Sequence, residues 1–301
     1  MAVLVREDAE IYGLGLLELR NDFVFKSFFT NERNNGLLLH FVNSIVGGRI
    51  RSLQVIDPTN KQEHRADKLS VLDLRATTDR GEWINIELQL QHHLAFKERV
   101  LYYWAKTYTS QSHSSDPYTK LRKAIQIVIT DFELLPSRRI HSTFQLRETS
   151  SGDLFTDHLE VHTLQLGKQG DKPVNSMNDL EKWLLFFKGD QKAKEEAAME
   201  SSAFEQAWEE IRKLSMDPET VGLAISREKA LRDQISRLHD AENRGLEKGM
   251  EKGLEKGYKN RTIEMVLKLH QKSMPLPFIA EVTDLSVEEV QTIIEERNYF
   301  A

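Results

Sequence analysis

The chain has 301 residues, no cysteine and a formal net charge of -6, from 41 Lys+Arg against 47 Asp+Glu. That length buries one large core or two smaller ones, and the missing cysteines exclude disulfides and thiolate metal sites. An acidic balance argues against extended non-specific nucleic-acid binding, although a basic patch can sit on an acidic chain, and KLRK (120–123), SRR (137–139) and GGRIR (47–51) are candidates. The start, MAVLVREDAE, lacks a basic region followed by an apolar one, and no uncharged apolar run approaches a membrane span. A cytoplasmic protein with no membrane partner is therefore expected.

In chain order, apolar spacing predicts helices near 22–30 and 35–46, with Asn21 and Asp22 placed to cap the first. Strands follow near 52–57, 69–77 and 83–91. A long helix over about 94–112, a strand in AIQIVITDF (124–132) and the alternating LEVHTLQL (159–166) complete a mixed α/β pattern. The polar stretch 167–179 reads as a linker between a domain over 1–166 and a helical region over 180–301.

The second half carries two unusual features. GLEKGMEKGLEKGY (245–258) sets Gly245, Gly249, Gly253 and Gly257 four residues apart, each followed by Leu246, Met250, Leu254 or Tyr258. On a helix these make adjacent small and apolar stripes, and each interior glycine costs about 1 kcal/mol relative to alanine. Close approach of a second helix, from this or another subunit, offsets that cost; a solvated tether is the alternative. The end, 275–297, has a helix-turn-helix outline with a Ser286–Glu289 capping box. Glu288, Glu289, Glu295 and Glu296 on its second helix disfavour phosphate, so a packing or assembly role, and a homo-oligomer, is expected.

The chemistry concentrates in SVLDLRATTDRGEWINIELQLQ (70–91). The strand period puts Asp73 and Arg75 on one face with Trp83, Asn85, Glu87 and Gln89, and Leu72, Leu74, Ile84, Ile86 and Leu88 on the other. TDRGE suggests a three-residue loop, Asp79 to Gly81, with the glycine left-handed. In that register paired numbers sum to 160, so Asp73 faces Glu87. Like charges directly opposed need solvent or a cation between them, and hard oxygens of this kind suit Mg²⁺.

These segments, together with RNDFVFKSFF (20–29), LLLHFVNSIV (37–46), RVLYYWAKTYTSQ (99–111) and DPYTKLRKAIQIVITDF (116–132), resemble the recombination-promoting nuclease family, also described as PD-(D/E)XK family transposases. The likeness runs from about residue 17 to the C-terminus, and glycine-glutamate-lysine runs are frequent in that family. It implies a restriction-endonuclease-like PD-(D/E)XK core, a mixed sheet flanked by helices, with an α-helical C-terminal extension. It implies further a DNA endonuclease that hydrolyses phosphodiester bonds with Mg²⁺ or Mn²⁺ and serves recombination or transposition. Carried over residue by residue, Asp73 and Glu87 hold the metal, and Gln89 stands where the wider superfamily has lysine. A Gln amide donates hydrogen bonds but brings no charge. Asp22, an acid at the head of the first helix, is a further catalytic candidate, with helix capping its ordinary alternative. Arg99, Tyr103 and Lys106 share one helical face and are candidate DNA contacts. The competing reading gives Tyr102 and Trp104 to the core and pairs Arg99 with an acid such as Glu98. As a whole, the alternative function is a catalytically inert nuclease fold that associates with DNA or protein through a self-assembling tail.

Overall fold

The computed structural model describes residues 16–56, 74–92, 94–112 and 115–299. Helix α1 (Asp22–Phe29) starts where the Asn21 side chain accepts from the Phe23 and Val24 N–H groups, so Asn21, not Asp22, is the N-cap. Its apolar face, Val24, Phe25, Phe28 and Phe29, is buried against α2 (Asn35–Val46), which ends at Gly47 with φ +83°. A six-stranded sheet follows: β1 (Leu53–Ile56), β2 (Leu74–Thr78), β3 (Trp83–Gln89), β4 (Ala124–Thr130), β5 (His141–Arg147) and β6 (Leu154–Gln165), in the order β1-β2-β3-β4-β6-β5. The first three strands are antiparallel, β3, β4 and β6 run parallel, and β5 returns antiparallel on the edge. Helix α3 (Phe96–Thr109) makes the crossover that the parallel β3–β4 pair requires.

The β2–β3 hairpin has the expected register, with Leu74 opposite Ile86, Arg75 opposite Asn85, Ala76 opposite Ile84 and Thr77 opposite Trp83. Its loop closes with Thr78 N–H donating to Glu82 O at 2.9 Å and Gly81 N–H to Thr78 O at 2.9 Å. Gly81 takes φ +75°, the left-handed position that makes glycine the natural residue there.

Two layers flank the sheet. On one side Ile84, Ile86, Ile125, Ile127 and Leu164 join the main core with α1, α2, α4 (Asp179–Lys188), α5 (Gln191–Ala198) and α6 (Ser202–Met216). Phe25, Phe29, Phe41, Trp183, Phe186, Phe187 and Phe204 interlock at its centre, with Trp183 Nε1–H donating to His40 Nδ1 at 2.9 Å. On the other side α3 packs Phe96 and Val100 onto Val128 and Val161.

The segment 167–179, expected as a linker, forms short 3-10 turns and buries Val174 and Met177 in the main core. Two buried apolar side chains are enough to hold a polar stretch against the globule. The first compact unit accordingly runs to Lys229, and the second spans Ala230–Ala301. The glycine repeat lies within one 54-residue helix, α7 (Pro218–Gln271), rather than in a coil. Leu246, Met250, Leu254 and Tyr258 are exposed on it, and a Cβ added at any of the four glycines meets nothing within 4 Å. In the second unit α8 (Leu276–Thr283) and α9 (Val287–Tyr299) pack Ile279, Ala280, Val290 and Ile294 around Val266. The capping box is present, with Ser286 N–H donating to Glu289 Oε2 at 2.8 Å and Glu289 N–H to Ser286 Oγ at 3.2 Å.

Candidate active site on the polar face of the sheet

Alternation along β3 sends Ile84, Ile86 and Leu88 into the main core and Asn85, Glu87 and Gln89 beneath α3. Parallel pairing sets Gln126 of β4 beside Asn85, whose amide donates to Gln126 Oε1 at 3.3 Å and also to Thr107 Oγ1 of α3. All three are buried. This polar layer pins α3, and Trp104 Nε1–H donating to Ala124 O at 2.9 Å adds a second anchor. Trp104 stacks on Tyr108, while Tyr102 is mostly exposed, so of the two only Trp104 serves packing.

A charged cluster lies one step further along β3. Glu87 is 7 % exposed, and Arg99, from the first turn of α3, donates through Nη2 to Glu87 Oε1 at 2.7 Å and to Gln89 Oε1 at 2.5 Å. Arg99 thus pairs with Glu87, not Glu98, and its guanidinium also rests over the Phe96 ring at 5.0 Å. An arginine can only donate, so Gln89 must present its oxygen to Arg99 and keep its NH₂ free to donate, which it does to Gln91 O at 3.2 Å. Arg75 shares this face beside Asn85, and burial lowers its pKa from the usual guanidinium value.

Whether these groups suit a metal ion can be read from their oxygens. Glu87 Oε1 and Gln89 Oε1 converge on one cationic nitrogen, a placement of hard donors that suits a cation. Among the described residues no cluster of three or more His, Cys, Asp or Glu side chains stands at metal-binding distance, and Asp73, the other expected ligand, lies outside the described residues.

The remaining candidates are placed as follows. Asp22 accepts from Phe23 N–H at 2.9 Å and lies 3.9 Å from Arg227 Nε, about half exposed. Tyr103 and Lys106 follow Arg99 by four and seven residues on α3 and are half-buried, Tyr103 meeting the Tyr102 ring edge-on. Nearer to Gln89 is Asp131, whose backbone N–H donates to Gln89 O at 3.2 Å. Its carboxylate holds Lys188 at 2.5 Å and Arg20 at 3.6 Å.

Sequence reasoning missed a second polar cluster, on the opposite face. Glu160, 2 % exposed, receives Lys123 Nζ at 2.6 Å, His162 Nε2 at 2.8 Å, Gln145 Nε2 at 3.3 Å and the Arg49 guanidinium. Burial alone would raise its pKa, but His162, Lys123 and Arg49 together hold it well below the usual carboxylate range. The basic stretches KLRK and GGRIR therefore spend Lys123 and Arg49 on an internal charge rather than on an external partner. The one available signal was the alternation of LEVHTLQL, which places Glu160 and His162 on the same face as Leu164.

No helix among the described residues is long and apolar enough to cross a membrane. A family model described as PD-(D/E)XK nuclease family transposase matches residues 19–241. No curated protein and no solved structure matches the chain.

Proposed function

Since the chain belongs to the PD-(D/E)XK nuclease family transposases, with the mixed six-stranded sheet and flanking helices of such a fold, we propose that it is a metal-dependent DNA endonuclease hydrolysing phosphodiester bonds. Recombination or transposition is the outcome this reading gives it in the cell. Membership in a nuclease family carries the substrate class, and PD-(D/E)XK nucleases generally use divalent metals. The observation that carries the site is the convergence of Glu87 and Gln89 oxygens on the Arg99 guanidinium.

In this reading Glu87 and Asp73 hold Mg²⁺ or Mn²⁺. When bound, the ion supplies an activated water and neutralises phosphoryl oxygens. The chain's own residues do the rest. Gln89 orients water through its NH₂, and its missing charge is made good by Arg99, which pairs with Glu87 and offers donors to the negative charge that develops on phosphate. Half-buried Arg75 raises the positive potential of the same face. Tyr103 and Lys106 extend the donor row along α3 toward the DNA backbone, and Asp22 is a further assisting acid. The exposed Leu246, Met250, Leu254 and Tyr258 support self-association through α7.

Supercoiled plasmid incubated with the protein and Mg²⁺ or Mn²⁺ tests the activity. Nicking that a chelator and the Asp73→Ala substitution each abolish is expected. DNA left intact with both metals at all protein concentrations would contradict it and favour the inert, self-assembling scaffold.

A further inference from the structure

Far from α3, on the other face of the sheet, a groove of about 900 Å³ opens beside the edge strand β5. Arg138, Arg139 and His141 line one side of it, Lys168 and Lys172 another, and Asp179 and Glu181 at the start of α4 a third. The acids are already answered, Glu181 by Lys172 Nζ at 2.5 Å and Asp179 by His40 Nε2 at 3.5 Å. Lys168 is spent on the loop before β5, donating to Leu135 O and Ser137 O and lying 3.3 Å from Glu133. Arg138 and Arg139 differ: both are exposed, and among the described residues neither guanidinium forms an ion pair. Two adjacent forked donors at the mouth of a cavity this size, within the roughly 300 to 1,000 Å³ of small-molecule sites, suit a phosphate.

A second observation adds a hydrogen-bond acceptor to the groove. His162 Nε2 lies 2.8 Å from Glu160 Oε1, and His162 Nδ1 lies 2.8 Å from His141 Nε2. Glu160, held ionised by Arg49 and Lys123, can only accept. With His162 neutral, its proton sits on Nε2 and its Nδ1 accepts, so that His141 donates from Nε2. That order leaves Nδ1 of His141 as a bare lone pair on a residue that lines the groove. His141 stays neutral near pH 7, since burial and the neighbouring His162 pull its pKa down to about 4 against the opposing pull of Glu160.

We infer that this groove binds a phosphorylated, hydroxyl-bearing small molecule of the sugar-phosphate or nucleotide class, with Arg138 and Arg139 on the phosphate and His141 Nδ1 accepting from a sugar hydroxyl. Glu160 and His162 act through His141 and are positioning residues, fixing its tautomer. The site is separate from the proposed cleavage centre and stands on different residues.

Isothermal titration of the full chain with ribose 5-phosphate tests it, with inorganic phosphate and ribose titrated alongside. Saturable binding of ribose 5-phosphate, weaker binding of phosphate and none of ribose are expected. Replacing both exposed arginines, Arg138→Ala with Arg139→Ala, lowers affinity for both phosphates at least roughly tenfold, the loss of one charge-assisted hydrogen bond. His141→Phe brings ribose 5-phosphate down to the affinity of inorganic phosphate while leaving the latter unchanged, a split that a merely structural role would not produce. Glu87→Gln leaves the titration as it is, so failure of the nuclease reading and failure of this one are distinguishable. No saturable heat with ribose 5-phosphate, or the same affinity after both arginines are removed, overturns the inference. Displacement of ribose 5-phosphate by a duplex oligonucleotide overturns it as well, reassigning the arginines to the DNA backbone.

Discussion

Glu87 and Glu160 are buried on opposite faces of one sheet, two strands apart, and they are held in different ways. Glu160 is enclosed on every side by Lys123, His162, Gln145 and Arg49, with a lysine whose own side chain is only 10 % exposed. Glu87 is met by Arg99, a side chain 31 % exposed that reaches in from a helix and shares itself with Gln89. An enclosed charge with fixed partners serves the fold, since desolvation makes removal of any one member costly. A carboxylate that has no buried lysine beside it among the described residues, and whose arginine is shared with Gln89, can exchange that cation for another at lower cost. In the proposed function, the first charge is built into the core and the second is the one kept for the metal.

The largest expected effect breaks this comparison on the activity side. Asp73→Ala or Glu87→Ala lowers plasmid nicking by roughly a hundredfold or more, the several kcal/mol a bound metal contributes to charge stabilisation. Glu160→Gln, by contrast, reduces activity only in proportion to the fraction folded. Denaturant unfolding then sharpens the other side: Glu160→Gln costs about 3 to 5 kcal/mol because Lys123 is left buried without its counter-charge, whereas Glu87→Gln costs about 1 to 2 kcal/mol because Arg99 can turn toward water. Equal losses for the two glutamates would erase the distinction.

Acid separates them next. Glu160 and His141 both have folded pKa values below their unfolded ones. A depressed folded value means stability is complete above the unfolded pKa and is lost as pH falls through the folded one. The His141 contribution is therefore lost between about pH 6.5 and about 4, and the Glu160 contribution below about 4.5. Unfolding free energy measured from pH 7 to 4 falls in the wild type, and His141→Phe flattens the upper part of that decline. A decline unchanged in the variant would place the proton elsewhere.

How much of this was legible in the sequence depended on what each residue had to meet. The hairpin register was readable because one glycine at a left-handed position fixes the loop length, and the loop length fixes every pair after it. Helices α1 and α2 were readable from apolar spacing, since both bury one face in the main core. Strand β5 was not, because an edge strand with one partner alternates weakly and exposes Phe144 and Leu146. The pairing of Arg99 with Glu87 and Gln89 was also hidden: spacing puts Arg99 on a helical face, but only the crossover geometry decides which strand residue that face covers. The same holds for Arg49 and Lys123, which read as surface charge in isolation and turn inward to Glu160. The segment 167–179 misled by composition, its two buried residues being outnumbered by polar ones.

The smallest effect concerns the helical tail. Gly249→Ala stabilises α7 by about 1 kcal/mol in the isolated chain, since the added methyl meets no neighbour. If the glycine stripe seats a second copy of the helix, the same substitution weakens self-association, and sedimentation at rising protein concentration reads the sign.

In the proposed function, the polar face of the β2–β3 hairpin holds the ion used for cleavage. Calorimetric titration of the full chain with Mn²⁺ tests it most directly, comparing the wild type with Asp73→Ala, Glu87→Ala and Glu160→Gln. Saturable binding in the wild type and in Glu160→Gln, lost in both Asp73→Ala and Glu87→Ala, is the predicted result; Mn²⁺ bound equally well by all four proteins would contradict it.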